Sequence, residues 1–151
     1  MHPVEIGPAE MGHYSMATVR RISVAALADQ QTPGVVAWAT YLAVDDVDAT
    51  IARVLANGGA VVVEPMDVMS FGRMAIATDP GGAVISFWQA YDHIGASLVN
   101  EPGAVVWNEL TTRDVDSSLA FYEAVVGLAA TKVDAGPGMD YYGFHTASGR
   151  D

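Results

Sequence analysis

The spacing of apolar and polar residues changes repeatedly along the chain, and each change predicts an element. Residues 13–19 and 22–27 are short apolar-rich runs divided by Arg20-Arg21, the pattern of a hairpin. Residues 29–34 are polar and end in Pro33-Gly34, a linker with turn chemistry. Residues 35–44 form a nearly continuous apolar run and predict a strand. After Asp45-Asp46 the period changes: Ala49, Ile51, Ala52, Val54, Leu55 and Ala56 recur at helical spacing. Aspartates ahead of and inside the first turn suit the free N–H groups and the dipole of a helix start. Asn57-Gly58-Gly59 predicts its end. Residues 60–63 read as a strand stopped by Glu64-Pro65, residues 66–71 as a loop, and residues 73–78 as a strand. Asp79-Pro80-Gly81-Gly82 is a turn, and residues 83–88 are a last strand. The unit over residues 35–89 is β-α-β-β-β.

After a linker over residues 90–102 the pattern restarts. Residues 104–112 predict a strand, and Asp114-Val115-Asp116 opens a helix bearing Leu119, Ala120, Tyr122, Val125 and Val126. Gly127 stops it, and Leu128–Val133 and Tyr141–Thr146 follow as strands around the loop Ala135-Gly136-Pro137-Gly138. A shift of 68 residues carries Asp46-Val47-Asp48 onto Asp114-Val115-Asp116. It also carries Leu42 onto Leu110, Ala52 onto Ala120, Ala56 onto Ala124 and Gly59 onto Gly127. Cap, core and stop positions agree at one shift, which identifies a duplicated module.

The two ends echo each other. Gly7-Pro8, Met11, Tyr14 and Thr18 resemble Gly136-Pro137, Met139, Tyr142 and Thr146. The expected organisation is therefore terminal strands of a partial module over residues 7–28, a complete module over 34–93 and a partial β-α-β-β module over 103–149. Head and tail together could complete one module in permuted order, within a chain or by exchange between two chains. An open edge at Tyr141–Thr146 would otherwise invite pairing, so a homodimer is expected.

Composition narrows the function classes. Apolar residues make up 51% of the 151, which excludes a disordered chain. Eighteen acids against 7 Lys and Arg give a net charge of −11, so neither nucleic acid nor an anionic membrane is an expected partner. With no cysteine, disulfides and thiolate chemistry are out, which fits a cytoplasmic protein. The first five residues have no signal-peptide pattern, and the run over residues 35–44 is too short to span a bilayer. Neither Gly58-Gly59 nor Gly81-Gly82 sits in a phosphate-loop or dinucleotide fingerprint.

At this point the chain resembles the glyoxalase/bleomycin-resistance/extradiol dioxygenase (vicinal oxygen chelate) superfamily. The residues that carry the resemblance are Thr40-Tyr41-Leu42-Ala43-Val44-Asp45-Asp46, Gly58-Gly59, Glu64-Pro65, Gly72-Arg73-Met74-Ala75 and Asp79-Pro80-Gly81-Gly82. Trp107-Asn108-Glu109-Leu110 with Ala120-Phe121-Tyr122 is similar to tandem-module actinobacterial, glyoxalase-like bacterial members. The resemblance implies an α+β fold in which βαβββ modules form curved mixed sheets around a cup.

Metal-dependent members carry a His or Gln on a module's first strand, seven residues before the capping Asp, and a Glu on the last strand, seven residues after the Asp of the turn. Here those positions hold Ala39, Trp107 and Ser86, and the comparable head strand offers Val24, Ala25 and Ala26. None suits a divalent ion, so no metal and no cofactor are expected. His2, His13 and His93 read as solvated or structural. His145 is worth watching, because a neighbouring strand could bring it near Glu109.

Strand alternation puts Trp107 and Glu109 on one face, Ala39 and Tyr41 on the matching face of the other module, and Ser86 with Trp88 on the last strand. The candidate ligand-binding residues are therefore Trp107, Glu109, Tyr41, Ser86, Trp88 and His145. Glu109 is also the weak catalytic candidate. A carboxylate inside an apolar strand is costly unless paired, by Arg73 or backbone groups, or protonated. The expected function is metal-free binding of a small, partly apolar molecule. The alternatives are a glyoxalase-like lyase or hydroxylase/dioxygenase-like enzyme, and a truncated structural or interaction module.

Overall fold

The computed structural model describes residues 4–5, 14–30 and 36–146. Asp46 begins helix α1 (Val47–Ala56) by accepting the N–H of Ala49 at 2.9 Å, with Asp48 in the first turn. One of the four unsatisfied donors at the helix start is thereby paired. The N–H of Val47 finds a second acceptor in the Gln89 side chain at 3.1 Å. Val47, Ile51 and Val54 share one stripe of the helix and are 0%, 6% and 0% exposed. That stripe packs on four strands: β4 (Tyr41–Ala43), β5 (Ala60–Val68), β6 (Gly72–Thr78) and β7 (Val84–Ala90). Their spatial order is β4-β7-β6-β5, with β4 parallel to β7 and the other pairs antiparallel. Alternation sends Ala75, Ala77, Ile85 and Phe87 toward the helix, all buried. Met74, Ile76, Ser86 and Trp88 consequently face the other way. Strand, helix and three strands thus follow one another as β4, α1, β5, β6 and β7, and the fold is α+β.

Helix α2 (Val115–Val126) repeats the same start: Asp114 accepts the N–H of Ser117 at 3.0 Å. Phe121, Tyr122 and Val125 join the core of α1 rather than building a second one. Arg53 ties the helices, donating from Nε to the Val125 carbonyl and from Nη2 to Thr50 Oγ1, both at 2.9 Å. The Tyr122 hydroxyl donates at 3.4 Å to Asp79, a carboxylate 3% exposed that also accepts the N–H of Ala83. Strands β8 (Leu128–Val133) and β9 (Tyr141–Thr146) then pair antiparallel as a separate two-stranded sheet.

The head forms a sheet of its own. β1 (Val4–Glu5), which the hydrophobic pattern did not predict, pairs with β2 (Tyr14–Val19), which pairs with β3 (Ile22–Ala28). The turn at Arg20-Arg21 places both residues at positive φ, 52° and 64°, the geometry a two-residue hairpin needs to match strand twist. Arg20 forms an ion pair with Glu101, and the Ser97 N–H donates to the Ser23 carbonyl at 2.9 Å. Among the described residues the head strands are not joined to β9.

Three sequence expectations are corrected. The strand expected over residues 35–44 is formed only at Tyr41–Ala43, because β7 is its partner and pairs no further. Val36 and Trp38 ahead of it are 89% and 84% exposed, and residue 35 lies outside the described residues. The strand expected over residues 104–112 is absent apart from one bridge between Val99 and Val105. In the first module the equivalent segment pairs with the closing strand β7, and among the described residues no such strand lies beside it here. Finally, β5 continues through Glu64-Pro65 to Val68 instead of stopping at Val63. It is an edge strand with two register shifts, where a proline removes no needed hydrogen bond. No helix of the described residues is long and apolar enough to cross a membrane.

Candidate functional site

Two groups of predicted residues assemble on neighbouring parts of the molecule. The first lies on the sheet face turned away from α1. Register sets Tyr41 beside Ser86 and Ala43 beside Trp88. The Tyr41 and Trp88 rings meet edge to face with centroids 6.4 Å apart. The Trp88 indole N–H donates to the His93 carbonyl at 2.8 Å, and the His93 ring packs against it edge-on at 6.2 Å. Trp88 also lies over Gly72, where any side chain would collide with the indole. Ser86 is 1% exposed, and Tyr41, whose phenol bonds it, is 46% exposed. Burial of that phenol pushes its pKa up, the nearby Tyr14 phenol adds to the rise, and a hydrogen bond with Ser86 opposes it.

The second group lines an open groove of about 430 Å³ between residues 105–110, the start of α2 and the first half of β9. Trp107 and Glu109 stand on one wall and Tyr141 on the other. The Tyr141 hydroxyl donates to Glu109 Oε2 at 2.9 Å and accepts the Trp107 indole N–H at 3.2 Å. The bond to Glu109 raises the Tyr141 pKa, with burial adding to it and Trp107 opposing it. The phenol therefore keeps its proton at neutral pH and holds the carboxylate in one place. Trp107 is 65% exposed, so its ring offers a face to solvent.

Thr40 Oγ1 donates to Asn108 Oδ1 at 3.3 Å, and these positions are equivalent under the 68-residue shift. The two first-strand segments thus lie side by side, with Tyr41 and Glu109 at matching positions. The groove is not lined by Tyr41, Ser86 or Trp88. His145 belongs to neither group: its Nε2 lies 3.1 Å from Thr131 Oγ1 on β8. It shares a face of β9 with Tyr141 but is four residues farther along, roughly 13 Å at the strand rise. Arg73 does not pair with Glu109. It binds Asp48 at 2.7 Å and Asp67 at 3.0 Å, joining α1 to β5.

A divalent ion held as in the metal-dependent members would need donors at positions 39, 86 and 107. Ala39 and Trp107 have none to give, and Ser86 is buried against the Tyr41 phenol. Glu109 and His145 are held apart by separate partners. The residues present do not fit such an ion.

Tyr141 is the site residue that sequence reasoning missed. Its signal was the alternation that picked out His145: Tyr141, Gly143 and His145 share one face of β9, and only the first lies level with Glu109. The Asp48–Arg73–Asp67 bridge had no comparable signal, since these residues come from three elements.

A family model described as "Glyoxalase/Bleomycin resistance protein/Dioxygenase superfamily" matches residues 3–87. Among curated proteins, "Putative glyoxylase CFP32" of Mycobacterium tuberculosis is 48% identical over 139 residues, covering 89% of this chain and 53% of that protein. Its namesake in Mycobacterium bovis gives the same figures. The "Anthracycline biosynthesis protein DnrV" of Streptomyces peucetius is 44% identical over 92 residues, covering 61% of this chain and 34% of that protein. The chain thus spans about half the length, or less, of these relatives.

Proposed function

The chain belongs to the glyoxalase/bleomycin resistance protein/dioxygenase superfamily, and on that premise we propose that it binds a small organic molecule without a metal, as a homodimer in the reducing cytoplasm. The observation that carries this reading is the Trp107–Tyr141–Glu109 chain of hydrogen bonds on the walls of the groove. It presents an exposed indole face beside a fixed carboxylate. Oε2 of Glu109 is engaged by Tyr141, which leaves Oε1 for a donor on the ligand. A flat, partly apolar molecule bearing an ammonium or N–H group fits both features. Tyr41, Ser86 and Trp88 would extend the apolar wall on the neighbouring segment.

A second reading is favoured by the printed name of the mycobacterial relatives. In that reading Glu109 takes a proton from a bound substrate and Tyr141 steadies the resulting charge, as in a glyoxalase-like or hydroxylase-like reaction. The sequence's third alternative, a structural module, would leave the groove without ligand.

Both readings are tested by screening aromatic amines and their neutral isosteres by protein-observed NMR and Trp fluorescence. Native mass spectrometry with Ni²⁺, Zn²⁺ and Fe²⁺ runs alongside. The amines are expected to shift Trp107 and Tyr141 and to lose about tenfold in affinity in Glu109→Gln, a difference of about 1.4 kcal/mol. Equal binding of amines and isosteres, unaffected by Glu109→Gln, would overturn the role of the carboxylate. One tightly held metal per chain would overturn the metal-free reading, and a monomeric mass would overturn the dimer.

A further inference from the structure

We infer that Met66 is a reversible oxidation site for hydroperoxides, and that its thioether controls the packing of the Trp88 indole. The chain has seven methionines and no cysteine, so thioethers are the only sulfur that a hydroperoxide meets. Among the described methionines, Met66, Met69 and Met139 are 49%, 59% and 57% exposed, whereas Met74 is part-buried and Met16 buried. Exposure makes the first three oxidisable. Position makes one of them consequential.

Register lays a single row of side chains across the four-stranded sheet. Met66 on β5 is opposite Met74 on β6, Met74 is opposite Trp88 on β7, and Trp88 is beside Ala43 on β4. Residues directly opposite share a face and have Cβ atoms about 5 Å apart. The row lies on the face turned away from α1. Trp88 leans along it: Cζ2 and Cε2 of the indole occupy the space over Gly72 of β6, two residues from Met74. The indole therefore reaches across β6 toward the two thioethers, and sulfur packs favourably at an aromatic edge. Ala43 adds little bulk at the other end. In this sheet β5 is the outer strand, so water and small oxidants enter the row at Met66.

The reaction is a two-electron oxygen transfer. A lone pair of the Met66 sulfur attacks one oxygen of the hydroperoxide, and the O–O bond breaks as the S–O bond forms. The proton of the transferred oxygen passes to the leaving oxygen, which departs as water or an alcohol. Sulfur is oxidised to the sulfoxide and the peroxide is reduced. The flexible apolar side chain has become a polar one with a strong acceptor. The row has no donor for it: Ala43 and Met74 carry none on their side chains, and the indole N–H is given to the His93 carbonyl at 2.8 Å. An unpaired acceptor is costly among apolar groups, and water lies at the strand edge, so the sulfoxide turns outward. Its withdrawal uncovers Met74 and the indole edge, and loosens the packing of Trp88 against Tyr41 and His93. Met69, in the turn after β5, and Met139, in the loop before β9, lie outside the row.

This inference does not rest on the small-molecule reading, since its readout is Trp88 with no ligand present. The intact chain is treated with hydrogen peroxide. Peptide mass spectrometry follows each methionine, and nitrogen-15 NMR follows the indole N–H signals, assigned by Trp→Phe variants. Met66 should form sulfoxide roughly fivefold faster than Met74 or more, and the Trp88 signal should move in step with Met66. Methionine sulfoxide reductases for both sulfoxide epimers should return it. In Met66→Leu the signal should stay in place while Met69 and Met139 are still oxidised. Met66→Gln, which puts a polar group of similar length in the row, should move the signal without peroxide. The proposal is overturned if Met66 is oxidised and Trp88 does not respond, if the response survives in Met66→Leu, or if Met74 is oxidised as fast as Met66. A Trp88 signal that the reductases fail to return would overturn the reversibility.

Discussion

Gly59 and Gly127 occupy the same place in the repeat, yet alanine at each should fail for different reasons and by different amounts. Gly59 joins α1 to β5. A Cβ there would lie 2.6 Å from the Thr78 carbonyl oxygen, 2.7 Å from Val54 Cγ1 and 3.0 Å from Phe121 Cε2. A relaxed carbon–oxygen contact is ~3.4 Å, so the end of β6 would have to retreat by roughly 0.8 Å. Thr78 pairs with Ala60 on one side and Val84 on the other, so its retreat strains two ladders. Overpacking of this kind costs ~1–3 kcal/mol, and a backbone obstacle places Gly59→Ala in the upper half of that range. Thermal midpoints move about 2–4 °C per kcal/mol in a chain of this size, which gives a fall of roughly 4–12 °C. Gly127 has φ +70° and nothing within 4 Å of its would-be Cβ. Alanine there meets only the left-handed backbone penalty, ~1 kcal/mol. Urea unfolding followed by circular dichroism measures both, with the slope checked for constancy. If Gly127→Ala costs as much as Gly59→Ala or more, the close approach of β6 and Phe121 to the α1–β5 junction is wrong.

Three further outcomes are expected. Asp48 is held below the ordinary carboxylate range, first by its hydrogen bond from Arg73 and then by the guanidinium charge. A depressed folded pKa means that its contribution to stability is present above the unfolded carboxylate value and is lost as pH falls through the folded one; carboxylate NMR should show Asp48 returning to the ordinary range in Arg73→Gln. Arg53→Met should cost about 1 kcal/mol in chemical denaturation by removing the bonds to Val125 and Thr50 that lock α1 to α2. Ile51→Ala should cost about 2–4 kcal/mol and Leu119→Ala roughly half as much, because water already reaches Leu119; equal costs in the same assay would mean that the α2 face is covered.

Most of the fold was legible because its signals are local. Asp46 and Asp114 cap helices through their own side chains, and the apolar stripe of α1 is written in Val47, Ile51 and Val54. The hairpin at Arg20-Arg21 was visible from its flanking runs, although two arginines at positive φ are unusual turn residues. What failed was non-local. An apolar run states that a segment can be a strand, but pairing decides whether it is one. Residues 104–112 have the right pattern and, among the described residues, no neighbouring strand, while Tyr41–Ala43 has β7 and no more length than β7 supports. Pro65 misled in the opposite direction: it ends a central strand but is harmless on the outer edge that β5 occupies.

The candidate site was half legible for the same reason. A carboxylate in an apolar run demands a partner, so Glu109 could be singled out from sequence, but its partner lies 32 residues away on β9 and could not. The duplication adds a further step. Equivalent positions at the first strand hold Tyr41 in one module and Glu109 in the other, and the Thr40–Asn108 bond sets those segments side by side. Each position is served by one tyrosine phenol, Tyr41 itself or Tyr141, and both phenols have raised pKa values. Both therefore remain protonated through the neutral range; Tyr141 donates to Glu109, and the Tyr41 phenol bonds Ser86. Under the proposed reading, a ligand lying across the two segments meets a phenol that donates on one side and a carboxylate that accepts on the other. A molecule carrying both an acceptor and an N–H group would satisfy the two modules together, whereas one carrying either alone would satisfy only one of them. Divergence of a single repeated position would thus be enough to turn a symmetric pair of strands into a site with a direction.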